Sequence, residues 1–212
     1  MKLAIQIILA VLIAFLAFWV YNSIQQPIRF QEQYDVRQKA VVKRLSTIRS
    51  AQMAYLTVKG QYTGSFDTLV SFIKTEKIPL IKMEGSISDS LLEAGMTEVE
   101  ALKKGIIKRD TFYVSVKDSL FKGWKNLDSL KFVPTVKDGS KFELAAGSIV
   151  TNAGLGVKVQ VFECKVANDV FLKGLDRSEI GALNDRTIKI EKYPGLKVGS
   201  LTETNNNAGN WE

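Results

Sequence analysis

Residues 3–21 read LAIQIILAVLIAFLAFWVY, and residues 30–59 read FQEQYDVRQKAVVKRLSTIRSAQMAYLTVK. The first run has one strongly polar side chain, Gln6, and neither Gly nor Pro. At about 1.5 Å per residue it spans roughly 28 Å, close to the ~30 Å hydrocarbon core of a bilayer. The second run has helix-forming composition, and Val41, Leu45, Ile48, Gln52 and Tyr55 recur at spacings 4-3-4-3. That spacing places them on one face of a helix, with Ala51, Met53 and Ala54 on its flanks. The two runs together predict a transmembrane helix continued by an amphipathic stalk helix. The stripe is expected to pack against its own domain, since two heptads interrupted by Gln52 make too short a coiled-coil seam.

Both ends of the first run carry signals. Lys2 alone precedes it, and the run exceeds the 7–15 apolar residues usual in a cleaved signal peptide. No small-x-small pair follows in Phe18-Trp-Val-Tyr-Asn-Ser23, so an uncleaved anchor is expected. Trp19 and Tyr21 suit an aromatic belt at the far interface. Gln6, within a turn of the near end, can reach head groups or hydrogen-bond a neighbouring helix. Pro27 lets the helix continue with a kink or restart there, and Gly60 reads as its C-terminal stop. The expected division is an anchor at 1–23, a stalk helix at 24–60, an α+β globular domain at 61–201 and a flexible tail at 202–212.

Charge is unevenly placed along the 212 residues. Residues 1–60 hold eight Lys/Arg against two acids, and residues 61–212 hold twenty-one against twenty. The distal part is thus close to neutral, which argues against a broad nucleic-acid surface. The basic residues of the stalk read as a solvated face or as contacts with anionic lipid heads. Counting bases alone, the positive-inside rule leans toward a cytoplasmic distal domain.

Beyond Gly60 the elements shorten. Ser65 is a good N-cap for a helix over residues 66–74 with Phe66, Leu69, Val70 and Ile73 on its apolar face. Pro79 turns the chain extended, and Thr97-Glu-Val-Glu100 is a capping box. Strands are expected at 111–116, 131–136, 141–145, 157–166 and 196–201, with an Asp138-Gly139 hairpin and a hairpin connection at 152–156. One or two helical turns are expected within 175–183. Helices followed by antiparallel strands indicate the α+β class, with the stalk packed on a small antiparallel sheet.

Arg44-Leu-Ser-Thr-Ile-Arg-Ser-Ala-Gln-Met-Ala-Tyr-Leu-Thr-Val-Lys-Gly-Gln-Tyr-Thr-Gly-Ser-Phe-Asp-Thr-Leu-Val70 resembles the helix-to-loop junction of type IV pilins and type II secretion pseudopilins. The matching residues are Ala51, Tyr55, Gly60, Tyr62, Leu69 and Val70, and the resemblance covers about residues 1–70. Those proteins begin with a basic leader, a Gly cleavage site and an apolar helix bearing an early glutamate. Here the chain opens Met-Lys-Leu-Ala-Ile-Gln, with no acid in the span. What the resemblance implies is the architecture and an extracytoplasmic, periplasmic domain anchored in the inner membrane.

Few residues nominate chemistry. The chain has no histidine and one cysteine, Cys164, which removes the commonest general base, the Ser-His and Cys-His pairings and Cys-based metal sites. Cys164 is expected to fill the core. The glycines Gly147, Gly154 and Gly156 form no phosphate loop. Asp169, Asp176, Glu179 and Asp185 lack the spaced pattern of a calcium loop and read first as a solvated acidic stretch. Phe112, Tyr113, Trp124 and Phe132 alternate with Lys but are expected in the core rather than as base-stacking platforms. No catalytic residue, cofactor or metal is nominated. The expected function is that of a single-pass structural or assembly protein of the envelope. Its expected partners are the lipid bilayer and proteins, as a homo-oligomer or with sister subunits, with Val41, Leu45, Ile48 and Tyr55 as packing seam. A membrane-tethered monomeric binding domain and a tethered hydrolase are the alternatives.

Overall fold

The computed structural model describes residues 2–93, 95–124, 126–150 and 156–212, so the expected connection at 152–156 lies almost wholly outside the described residues. Along the chain the elements are α1 (Lys2–Lys59), α2 (Phe66–Thr75), β1 (Lys77–Glu84), α3 (Asp89–Glu93), α4 (Glu98–Lys103), β2 (Lys108–Ser115), α5 (Val116–Leu120), β3 (Glu143–Val150), β4 (Lys158–Ala167), α6 (Asn168–Phe171), α7 (Arg177–Lys189) and β5 (Gly195–Gly199). A 3-10 turn covers Leu127–Lys131. The chain divides into two compact units, Met1–Arg49 with Ser129–Glu212, and Ser50–Asp128. This division falls inside the stretch expected to form one domain.

Helix α1 is a single run of 58 residues, about 87 Å long at the α-helical rise. It passes through Pro27 without restarting. The proline forgoes its own N–H bond to the preceding turn, a loss the long flanking helix outweighs. Gly60 ends α1 as expected, with φ of 73° and its N–H bonded to the Leu56 carbonyl.

In the first unit β4 is the central strand of an antiparallel sheet ordered β3-β4-β5. Its register sets Leu144, Cys164 and Val198 side by side across the three strands. Phe162, Cys164 and Val166 are buried along one face of β4, and Val41, Leu45 and Ile48 of α1 are fully buried in the same unit. Cys164 is thus a core residue, and burial raises its thiol pKa far above the ordinary value. Gly199 has φ of 73°, and a Cβ there would lie 2.1 Å from the Phe162 carbonyl oxygen, so no other residue fits without moving β4.

Residues 202–212, expected to be flexible, instead turn back along β5. Gly209 bridges Val198, Gly199 N–H donates to Ala208, and Asn210 N–H donates to Lys197. The three asparagines serve this turn, since Asn206 and Asn207 hold φ values of 52° and 58°, a region asparagine tolerates. Helix α7 is also longer than expected, at 13 residues. Its Gly181 and low apolar content hid it, while Asp176 caps it through the N–H groups of Ser178 and Glu179.

The expected strand at 131–136 is reduced to one bridge, Phe132 to Lys141, because Pro134 cannot donate to a ladder. The expected tight hairpin at Asp138-Gly139 is absent, since eight residues separate the bridged Phe132 and Lys141, but Asp138 closes a local turn onto Ser140 with Gly139 at φ of 77°. Asp138 accepts from Lys173 Nζ and from the backbone and hydroxyl of Ser140, and these bonds, that of Lys173 foremost, hold its carboxyl well below the usual range. A depressed carboxyl pKa stabilises the fold above the ordinary value of 3.8 and loses that contribution as pH falls through the folded value. Wild type is therefore expected to be more stable than Asp138→Asn at neutral pH. Denaturant midpoints measured against pH should show that gap closing only below about pH 4.

The second unit packs the end of α1 on α2. Ser65 caps α2 by accepting from Thr68 N–H. Leu69, Val70, Phe72 and Ile73 are its buried residues. Phe72, rather than the expected Phe66, completes that face, because its ring meets Tyr55 edge-on at 4.9 Å. The capping box Thr97/Glu100 is present on both sides. Strands β1 and β2 form a two-stranded antiparallel ribbon. Phe112 and Tyr113, expected in the core, are 44% and 67% exposed on it. A two-stranded ribbon cannot cover both of its own faces.

Candidate functional site: an exposed apolar helix segment and its polar collar

From Ile5 to Tyr21 the large apolar side chains of α1 are exposed at 48–68% on every side of the helix. A helix apolar all round has no face to turn to water. The segment is long and apolar enough to cross a bilayer. Trp19 and Tyr21 close it, and the next turns change character at once to Asn22, Ser23, Gln25, Gln26, Arg29, Gln31, Glu32 and Gln33.

This polar collar faces a cavity of about 480 Å³ shared with residues 174–176 at the start of α7. Gln26 Nε2 donates to Asp176 Oδ2 at 2.7 Å. Asp176 Oδ1 accepts the Ser178 and Glu179 N–H groups at 2.8 and 3.2 Å. One carboxylate therefore caps α7 and ties it to α1.

Farther along α1 the tie continues. The Tyr34 ring lies 6.3 Å from Phe171, and the burial of Tyr34 raises its phenol pKa, with Asp35 adding to the effect. Arg37 donates to the Phe171 and Lys173 carbonyls at 3.2 and 2.9 Å, Arg44 to the Ser129 carbonyl. Arg49 donates to the Asn207 carbonyl and pairs with Glu212. Gln26, Phe30, Tyr34 and Arg37 extend the expected seam toward the N-terminus at helical spacing. The signal was present in Gln26, Phe30, Tyr34 and Arg37, but a stripe sought in aliphatic residues alone stops at Val41. The seam itself, Val41, Leu45, Ile48 and Tyr55, is buried within the chain's own units. The junction residues Ala51, Tyr62 and Leu69 are buried too, while Gly60 is an exposed turn.

Two further cavities are lined by polar groups. One of about 450 Å³ borders α2 and holds Asp67 and Glu76. These carboxylates sit nine residues apart, which places their Cα atoms about 13 Å apart along the helix. Glu76 is in addition paired with Lys59 at 2.7 Å. The other cavity, about 170 Å³, gathers Tyr34, Tyr193 and Trp211. Burial, helped by Glu143 and Glu163, pushes the Tyr193 phenol up to about 12.

Among the described residues no group of three or more carboxylates, cysteines or histidines could hold a metal ion. Of the acidic stretch, Asp176 is engaged as the α7 cap and Asp169 accepts from Asn184 at 3.2 Å. No family model, no curated protein and no solved structure matches the chain. The apolar segment, its collar and the ladder of contacts that follows are what the geometry offers as a functional site.

Proposed function

We propose that this is a single-pass, membrane-anchored structural protein of the cell envelope, of pilin- or pseudopilin-like type, whose anchored helix presents small α+β units to partners. The observation that supports it most is the continuity of α1. The same helix that exposes Ile5–Tyr21 all round is bound along residues 26–49 to residues 171–207 of its own unit. Such a tie between the anchor helix and the residues packed on it suits a load-bearing or assembling subunit.

Partners have a free surface to meet. Ile28, Val36 and Met53 are exposed at 47%, 69% and 52% on the side of α1 away from the buried stripe, with Glu32, Lys39 and Lys43 between them. Apolar positions flanked by both charge signs suit a neighbouring helix in register.

Disulfide trapping tests this directly. Val36→Cys in native membranes is expected to give a self-linked dimer or a cross-link to a sister subunit on mild oxidation. Cys164 is buried and makes a silent background. Monomers alone with cysteine at 36, at 43 and at 53 would overturn assembly and favour a monomeric tethered binding domain. A reporter fused after Glu212 is expected to be active outside the cytoplasm, and cytoplasmic activity would remove the pilin-like placement.

A further inference from the structure

The collar cavity carries two full charges of opposite sign. Asp176 and Arg29 both line it, along with the side-chain amides of Asn22, Gln25 and Gln33. Asp176 is held in place by its three hydrogen bonds, from Gln26, Ser178 and Glu179. Arg29 is exposed and, among the described residues, forms no ion pair. A cation and an anion that share a cavity without pairing leave an opening with no net charge but a strong internal dipole. A simple anion at Arg29 meets Asp176, and a simple cation at Asp176 meets Arg29. The ligand that satisfies both is a zwitterion with its charges held apart.

Position selects which zwitterion. Arg29 lies eight residues beyond Tyr21, about 12 Å along the helix axis. The head-group layer adds roughly 5–7 Å on each side of the hydrocarbon core, and an arginine side chain reaches back toward it by snorkelling. The amides of Asn22 and Gln25 fall within that layer. We infer that this cavity binds the head group of a phosphatidylethanolamine-type lipid, with the phosphate on Arg29 and the primary ammonium on Asp176. Its acyl chains run down the apolar surface of α1 past Trp19. A primary ammonium has three N–H donors for Asp176 and the adjoining amide oxygens. A quaternary choline has none. A glycerol head brings no positive charge to Asp176. The bound lipid joins the collar of α1 to the start of α7, and so couples the bilayer surface to the unit that α1 carries.

The inference rests on the membrane anchor proposed above, and the test separates the two. Full-length protein is reconstituted into phosphatidylcholine vesicles containing equal parts of phosphatidylethanolamine and phosphatidylglycerol. It is then extracted in mild detergent and weighed by native mass spectrometry, with carbonate extraction of the same vesicles run in parallel. Retention of one phosphatidylethanolamine per chain, at least about tenfold over either other lipid, is expected. Arg29→Gln and Asp176→Asn should each reduce that retention about tenfold. Asparagine remains a good N-cap, so α7 survives the second change, and circular dichroism checks it. Soluble phosphoethanolamine at millimolar concentration should not displace the lipid. Displacement would assign the cavity to the free head group and overturn a lipid site. Equal retention of phosphatidylglycerol, or unchanged retention in Arg29→Gln, also overturns it. A chain that stays in the membrane pellet and retains no lipid removes the head-group site alone, whereas a chain released by carbonate removes the anchor and the site together.

Discussion

Leu12→Arg combined with Phe15→Arg is expected to move the protein from the carbonate-resistant membrane pellet to the soluble fraction. Each arginine near the centre of a span costs about 2.5–3.5 kcal/mol on insertion scales, and each lost Leu or Phe forfeits roughly 0.3–0.6 kcal/mol. The pair thus opposes insertion by about 6–8 kcal/mol. Residues 3–21 hold twelve Leu, Ile, Val and Phe, worth about 4–7 kcal/mol together on the same scale, so the balance changes sign. Leu12 and Phe15 are 51% and 63% exposed, so the folded units should be untouched, and their thermal unfolding should match wild type. A double variant that still pellets after carbonate would show that residues 5–21 do not anchor the protein.

The second large effect belongs to Gln52. Its side chain is fully buried, and it holds Thr63 from both sides. Nε2 donates to the Thr63 carbonyl at 2.6 Å, and Oε1 accepts the Thr63 N–H at 3.1 Å. This reciprocal pair replaces the strand partner that the loop after Gly60 lacks. Gln52→Ala leaves a buried N–H and a buried C=O without partners, at about 1–3 kcal/mol each, and opens a cavity besides. The expected loss is about 3–5 kcal/mol. Gln52→Leu fills most of the volume but not the bonds, and should recover no more than about 1–2 kcal/mol of it. Because the chain has two compact units, a single global unfolding energy is a poor measure. Hydrogen exchange in peptides covering 61–75 reports the local opening energy instead. The neighbouring Met53→Ala, at an exposed site, should change it by less than about 0.5 kcal/mol. A Gln52→Ala chain as protected as wild type would mean that Thr63 is held by other contacts.

Gln52 also shows how far the linear pattern reaches. Within the 4-3-4-3 stripe it looks like a defect in an apolar seam. In the structure it is the residue that fastens the loop to the helix, and the stripe needs a polar group at that point because backbone lies opposite it. The change from Phe66 to Phe72 on α2 has the same origin. Both positions fit an amphipathic helix, and the Tyr55 ring selects between them. The ribbon of β1 and β2 shows the converse. Alternation at 111–116 correctly marks a strand, but alternation says nothing about whether a second layer exists to cover Phe112 and Tyr113.

The features legible in the sequence are those governed by short-range energies. The apolar run, the Ser65 and Thr97 caps, the Gly60 stop and the Asp138-Gly139 turn each depend on backbone preference, a bond spanning two or three residues, or transfer of a side chain from water. These act the same way whatever the rest of the chain does. The C-terminal tail follows another rule: its asparagines suit a free coil or a tight turn equally, and the free edge of β5 decides between them. The collar site is decided the same way. Gln26 and Asp176 are 150 residues apart, and no local preference brings them together. Only the docking of α1 on its unit brings Asp176 and Arg29 to one cavity, because ordering such distant groups requires the burial of Val41, Leu45 and Ile48 to offset the entropy of closing the loop between them.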